Sequence, residues 1–218
     1  MVSGTSFGLE IDGSGHPTPS LVRTVEAACA EAERGGFLAV SVTAVPDGAP
    51  AHADVALVSK WERALRRLER LPATTVSVAS GPVGGIALDA LLATDYRIAT
   101  PGTRLEVAPG GTPLWPGMAL YRLVQQAGAA PVRRTILFGQ PLTAATALAL
   151  GLLDEITDDP LAALATAAAS AADRSGRELA IRRRLMHDAA TISFEEALGA
   201  HLAACDRTLR QNSSGAAR

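Results

Sequence analysis

Extended apolar segments alternate with amphipathic helical segments through the first half of the 218 residues. This alternation predicts an α/β protein with a largely parallel sheet, because strands separated by helices pair in parallel through right-handed crossovers. Two further observations agree. The extended segments 38–45 and 74–79 are almost continuously apolar or small, the pattern of strands covered on both faces. Beyond residue 117 Ala-rich helical patterns take over, which predicts a helical C-terminal third.

Taken in order, residues 6–11 read as a short strand, and His16-Pro17-Thr18-Pro19 breaks the chain. Thr18 is then an N-cap with Pro19 at the first helical position. Leu21, Val22, Val25, Ala28, Cys29 and Ala32 fall on one face of that helix, and Gly35-Gly36 ends it. After the strand 38–45 comes a loop at 46–53 with Pro, Gly and Asp turn signals. The helix at 54–71 carries Val58, Trp61, Leu65 and Leu68 on one face. Arg63, Arg66, Arg67 and Arg70 cover the rest as a solvated surface. Pro72 stops it. A strand at 74–79, a tight turn at 80–85 and an apolar helix at 86–94 follow, then short strands at 95–99 and 103–107 and a Gly/Pro-rich loop at 108–117. Helices are expected at 118–127, 131–138 and 143–150, an extended piece at 153–156, and helices again to about 209. Ser193 and Glu196 form a capping box for the last of them. The tail, 211–218, is expected to be disordered.

Composition removes several function classes. The net charge of −2 gives no basic excess for nucleic-acid binding. Of the 20 basic residues only Lys60 is a lysine, and its setting fits neither a Schiff base nor a P-loop. Two cysteines, Cys29 and Cys205, make no disulfide framework and read as small buried hydrophobes. His16, His52, His187 and His201 have no metal-ligand spacing, so no metal site is expected. No leader pattern precedes residue 6, and no apolar run approaches the ~20 residues of a membrane span. The expectation is a soluble cytoplasmic protein without nucleic-acid or membrane partners. The Ala-rich C-terminal helices present narrow apolar faces suited to close packing, on their own core or on another subunit.

The most informative stretch is Ser80-Gly81-Pro82-Val83-Gly84-Gly85 between a strand and an apolar helix. Glycines there let a ligand approach the backbone. The free N–H groups and dipole of the following helix favour an anion, either a phosphate or a developing oxyanion. The turn is neither a dinucleotide fingerprint nor a P-loop nor a nucleophile elbow. By itself it is equally compatible with simple close packing.

The segment TTVSVASGPVGGIALDALLATDYRIAT (74–100) resembles the core of the crotonase, or enoyl-CoA hydratase/isomerase, superfamily, with Gly81, Gly85 and Asp95 in register. Trp115-Pro116-Gly117 and Tyr121-Arg122-Leu123 resemble that family's Pro-Gly loop and following helix. The run from Ile136 through Thr143-Ala144 to Asp154 resembles its Gly-Leu-Val-Asp region, and Ala51-His52-Ala53-Asp54 stands where it has Ala-Gly-x-Asp. The similarity runs from about 38 to 209 and is strongest over 74–154.

The resemblance implies a crotonase-like β-β-α spiral core over 1–142 and a helical C-terminal region over 143–210 that mediates trimer or hexamer formation. It implies an acyl-CoA thioester substrate, no separate cofactor, and an oxyanion hole made by the backbone N–H groups of Ala53 and Ile86. Of the family's two catalytic glutamates, the first maps to Asp89, which is otherwise a helix first-turn acid. The second maps to Pro109, and the nearest acid is Glu106. His52, Gly81, Gly85 and Trp115 are carried over as substrate-binding residues. Arg182, Arg183 and Arg184 are carried over as contacts to the CoA phosphates, for which arginine is suited. The chain looks most like the small enoyl-CoA-hydratase-like proteins of dihydroxyphenylglycine biosynthesis, in antibiotic pathways. These work beside a type III polyketide synthase and other pathway hydratases, and are held to dehydrate and aromatise a polyketide CoA thioester to dihydroxyphenylacetyl-CoA. The alternative is a non-catalytic partner that binds the synthase or holds acyl-CoA.

Overall fold

In a computed structural model the described residues are 8–47, 54–107, 117–171 and 176–215, with side chains described to 206 apart from 200. The strands are β1 (Leu9–Asp12), β2 (Phe37–Ala44), β3 (Thr74–Gly84), β4 (Tyr96–Ala99), β5 (Arg104–Glu106), β6 (Leu142–Thr143) and β7 (Glu155–Ile156). The helices are α1 (Pro19–Gly35), α2 (Val55–Leu68), α3 (Gly85–Leu92), α4 (Ala119–Ala127), α5 (Ala129–Phe138), α6 (Ala144–Ala149), α7 (Pro160–Ala171), α8 (Arg177–Asp188) and α9 (Phe194–Gly215). The sheet order is β1-β2-β3-β4-β7, all parallel, with β5 parallel to β3 and β6 antiparallel to β5.

The crossover helices form as their caps dictate. Thr18 Oγ1 accepts the Leu21 N–H at 3.0 Å, and Pro19 opens α1. Gly36, at φ 77°, closes it by donating its N–H to Ala32 O. Asp54 caps α2 by accepting the Leu57 N–H at 2.6 Å. Of the faces the periodicity picks out, Val22, Val25, Ala28, Cys29 and Ala32 on α1 and Trp61, Leu65 and Leu68 on α2 are buried, while Leu21 and Val58 are half-buried against the same core. With α3 they form the main core on one face of the sheet. On the other face Ala163 and Leu164 of α7 cover Ala39, Val76, Val78 and Ile98.

The segment 80–85 is not a free turn. β3 continues through it to Gly84 and changes partners on the way. Val76–Ala79 pair with β4, whereas Pro82–Gly84 pair with β5. Gly81 makes the bend, at φ 67°, a conformation a side chain would strain. β2 follows the bend with a register shift after Thr43, and Ala44 lies at φ 67°.

The sheet also runs past residue 142. β6 straddles that position, and β7 adds a strand beside β4. α9 carries on to Gly215, so residues 211–215 extend a helix where a disordered tail is expected. A helix already nucleated by the Ser193–Glu196 capping box adds residues at little cost. Among the described residues no helix is long and apolar enough to cross a membrane.

Candidate active site

The carboxyl ends of four strands meet where α3 begins. A Cβ on Gly13, just after β1, would lie 2.6 Å from Gly84 O and would also collide with Ala44 O. A Cβ on Gly84 would lie 2.7 Å from Glu106 O, and one on Gly85, at φ 51°, 2.7 Å from Pro46 Cγ. Backbones can approach this closely only because these positions are glycine. α3 then starts with no side-chain cap, so its first-turn amides, Ile86 included, are donors without intrahelical partners. Ile86 itself is 2% exposed and its side chain lies in the core, which leaves the backbone as its contribution to the site. At the other end Arg97 donates from Nη2 to Leu92 O and Thr94 O, both at 3.0 Å, and Gln126 Nε2 donates to Leu92 O. A cation on the last carbonyls complements the donors at the first turn.

Asp89, one turn into α3, is fully buried. Arg122 of α4 reaches it, Nη1 to Oδ1 at 3.5 Å. The same guanidinium meets Glu69 Oε1 through Nε at 2.6 Å and Glu62 Oε2 through Nη1 at 3.0 Å. One cation thus serves three carboxylates. Burial, reinforced by the negative charge of Glu62, pushes the Asp89 carboxyl up to about 7. Arg122, and then the Trp61 indole and the Ala119 amide, pull the other way. Burial also works against the charge on Glu69, but Arg122 and Arg66 outweigh it and hold that carboxyl below its usual range. Asp89 Oδ2 has no hydrogen-bond partner, nor has Trp61 Nε1: the indole is near enough to be felt but is not aligned to donate.

Glu106 stands beside the α3 start, since β5 pairs it with Gly84. Its Oε1 faces Arg104 Nε at 3.7 Å, and no hydrogen bond or ion pair among the described residues joins it to Asp89. Gly81 and Gly85 shape the strand bend and the helix start. His52, Ala53, Pro109 and Trp115 lie outside the described residues.

The three arginines of α8 are elsewhere. Arg183 is buried and donates to both carboxylate oxygens of Asp95 and to Leu71 O and Ala73 O. Asp95 in turn accepts from the Thr75 N–H and hydroxyl. Arg183 therefore pins α8 to the amino ends of β3 and β4, whereas Ile86 follows the carboxyl end of β3. The phosphate role read for Arg183 gives way to a structural one, because its buried guanidinium already makes four hydrogen bonds within the protein. Arg182 pairs with Glu178 at 3.0 Å and Arg184 with Asp188 at 3.3 Å, both at the surface of the same helix.

Sequence reasoning missed Glu62, Glu69 and Arg122. A signal was present: Glu62 and Glu69 are seven apart beside the apolar stripe of α2, so they share one face. Among the described residues no group of three or more His, Cys, Asp or Glu side chains is arranged to hold a metal ion.

No protein-family model matches the chain. It is 51% identical over 210 residues, 94% of its length, to an "Enoyl-CoA-hydratase" of Amycolatopsis orientalis, and covers 97% of that protein. The fold matches crystal structures of enoyl-CoA hydratases from Shewanella pealeana and from a Polaromonas species. The first gives a TM-score of 0.74 at 17% identity, covering 94% of this chain and 86% of that one. The second gives 0.75 at 15% identity, covering 97% and 92%. The two structures speak for the fold and the Amycolatopsis relative for descent: the chain belongs to the enoyl-CoA hydratase family of the crotonase superfamily.

Proposed function

We propose that the chain is a lyase that removes water from, or adds it to, a CoA thioester through an enolate. The observation that carries this reading is the placement of Asp89. It is a buried carboxyl poised near 7, one helical turn from the Ile86 N–H, with one oxygen unpaired. The Ile86 amide, with that of Ala53, donates to the thioester carbonyl oxygen and stabilises the charge that collects there. The Asp89 carboxylate takes the α-proton. The enolate then expels the β-hydroxyl, which leaves as water on receiving that proton from Asp89. Hydration is the reverse. A carboxyl near 7 suits both steps, because it exchanges a proton at little cost near neutral pH.

The substrate we favour is a polyketide-derived CoA thioester, dehydrated and aromatised to dihydroxyphenylacetyl-CoA beside a type III polyketide synthase. The similarity of the motif set to the small hydratase-like proteins of that pathway supports it. Trimer or hexamer formation and a cytoplasmic location belong to the same reading. A non-catalytic partner that binds the synthase is the second reading. It is favoured by Pro109 where the family has its second acid and by the pairing of Glu106 with Arg104.

The test is turnover of short enoyl-CoAs and of the synthase product by the purified chain, with and without synthase. Asp89→Asn should lower turnover by ~10²–10⁴, and Glu106→Gln by less. Wild-type turnover by folded Asp89→Asn protein removes Asp89 from the mechanism. Stimulation of the synthase that survives the substitution supports the partner reading.

A further inference from the structure

The seam between α2, α3 and α4 holds a device that the placement of Asp89 one turn after Ile86 does not require. Glu62, on α2, uses its two oxygens differently. Oε1 accepts the Met118 N–H at 3.0 Å, at the residue that caps α4. Oε2 lies 3.0 Å from Arg122 Nη1, the atom that also reaches Asp89, as an ion pair that makes no aligned hydrogen bond. We propose that Glu62 is a positioning residue for Asp89: it fixes the start of α4 and the Arg122 guanidinium together, and so sets the place and the charge that the Asp89 carboxyl meets. The inference rests on Asp89 being the proton-transfer group.

The geometry explains why a carboxylate is needed there. Arg122 is also held by Glu69 through Nε, at 2.6 Å, so its position does not depend on Asp89. Without Glu62, Nη1 would be free to close on Asp89 and make it an ordinary ion-paired carboxylate. With Glu62 present, Nη1 is shared and Asp89 is left at 3.5 Å with Oδ2 unpaired. The charged groups around Asp89 are few. α2 supplies Glu62, its C-cap residue is Glu69, and α4 supplies Arg122, while β2 and β3 carry no charged residue. β1 carries Glu10 and Asp12, both exposed, and β5 carries Arg104 and Glu106, which face each other. The negative charge that raises Asp89 comes from Glu62.

The experiment is a carbon-13 NMR titration of the aspartate carboxyl groups in the intact protein, with Asp89→Asn used to assign the Asp89 signal. Glu62→Gln keeps an oxygen for the Met118 amide and removes only the charge. It should lower the Asp89 midpoint by about one pH unit or more, and the pH profile of turnover should move the same way. Glu62→Asp, which withdraws the charge by one methylene, should fall between the two. An Asp89 midpoint unchanged in folded Glu62→Gln overturns the inference, as does a Glu62→Asp midpoint at or above wild type should the Gln variant not fold. A midpoint that moves in a protein with no turnover on any thioester supports the coupling and refutes the lyase reading, so the two fail separately.

Discussion

Asp89 makes a quantitative prediction about stability that needs no substrate. Its carboxyl is held at about 7 in the folded protein against 3.8 for an unperturbed aspartate. Between those values the folded state keeps a proton that the unfolded state has lost, so stability falls as pH rises through the window. Below about 4 both states are protonated and above about 7 both are ionised, and the contribution is flat. The gap between about 7 and 3.8 corresponds to about 4 kcal/mol of stability lost across the window, at about 1.4 kcal/mol per pH unit. Asp89→Asn removes the titration. The pull of Arg122, at 3.5 Å, acts on the ionised carboxyl and is already contained in the value of about 7, so it adds no separate pH dependence. The difference in unfolding free energy, mutant minus wild type, should therefore rise in favour of the mutant by about 4 kcal/mol between pH 4 and pH 8. Urea denaturation of both proteins at half-unit intervals measures it, and taking the difference cancels His187 and the surface groups. A difference that stays constant over this range refutes the argument that burial and Glu62 hold a proton on Asp89.

The remaining predictions concern the scaffold. Arg183→Met leaves Asp95 without its guanidinium and should cost about 3 kcal/mol. Amide exchange should rise across α8 while acyl-CoA affinity is unchanged, and lost affinity at full stability would return Arg183 to the phosphate site. Gly84→Ala puts a methyl 2.7 Å from Glu106 O and 3.2 Å from Val45 Cγ1. The strands must move apart, and a cost of about 1–3 kcal/mol in thermal or urea unfolding is expected. Cys29 is buried and its thiol is pushed up to about 11 by burial. It should resist a thiol reagent in the native protein and react on denaturation, and rapid native labelling would contradict its place in the α1 core.

Sequence alone determined the parallel α/β architecture, since apolar periodicity and caps are local properties. Thr18, Gly36 and Asp54 act at the helix ends where their types put them, and the α1 and α2 stripes are buried as their spacing requires. The glycine-rich strand-to-helix junction is visible in one dimension, and the resemblance to the crotonase family is what marked Gly81, Gly85 and Asp89 within and after it. Tertiary structure decided what those residues meet. That β3 runs through the Gly segment and exchanges β4 for β5 depends on a partner strand about twenty residues away. That Arg183 is an anchor depends on Asp95 and on two carbonyls more than a hundred residues distant. The carboxylates of Glu62, Glu69 and Asp89 come from α2 and α3, and they share one guanidinium only because packing brings α4 over both. Periodicity assigns a residue to a face of its own element. The charge that sets a buried carboxyl's proton affinity is supplied by the other elements packed on that face, and it exists only once they have docked.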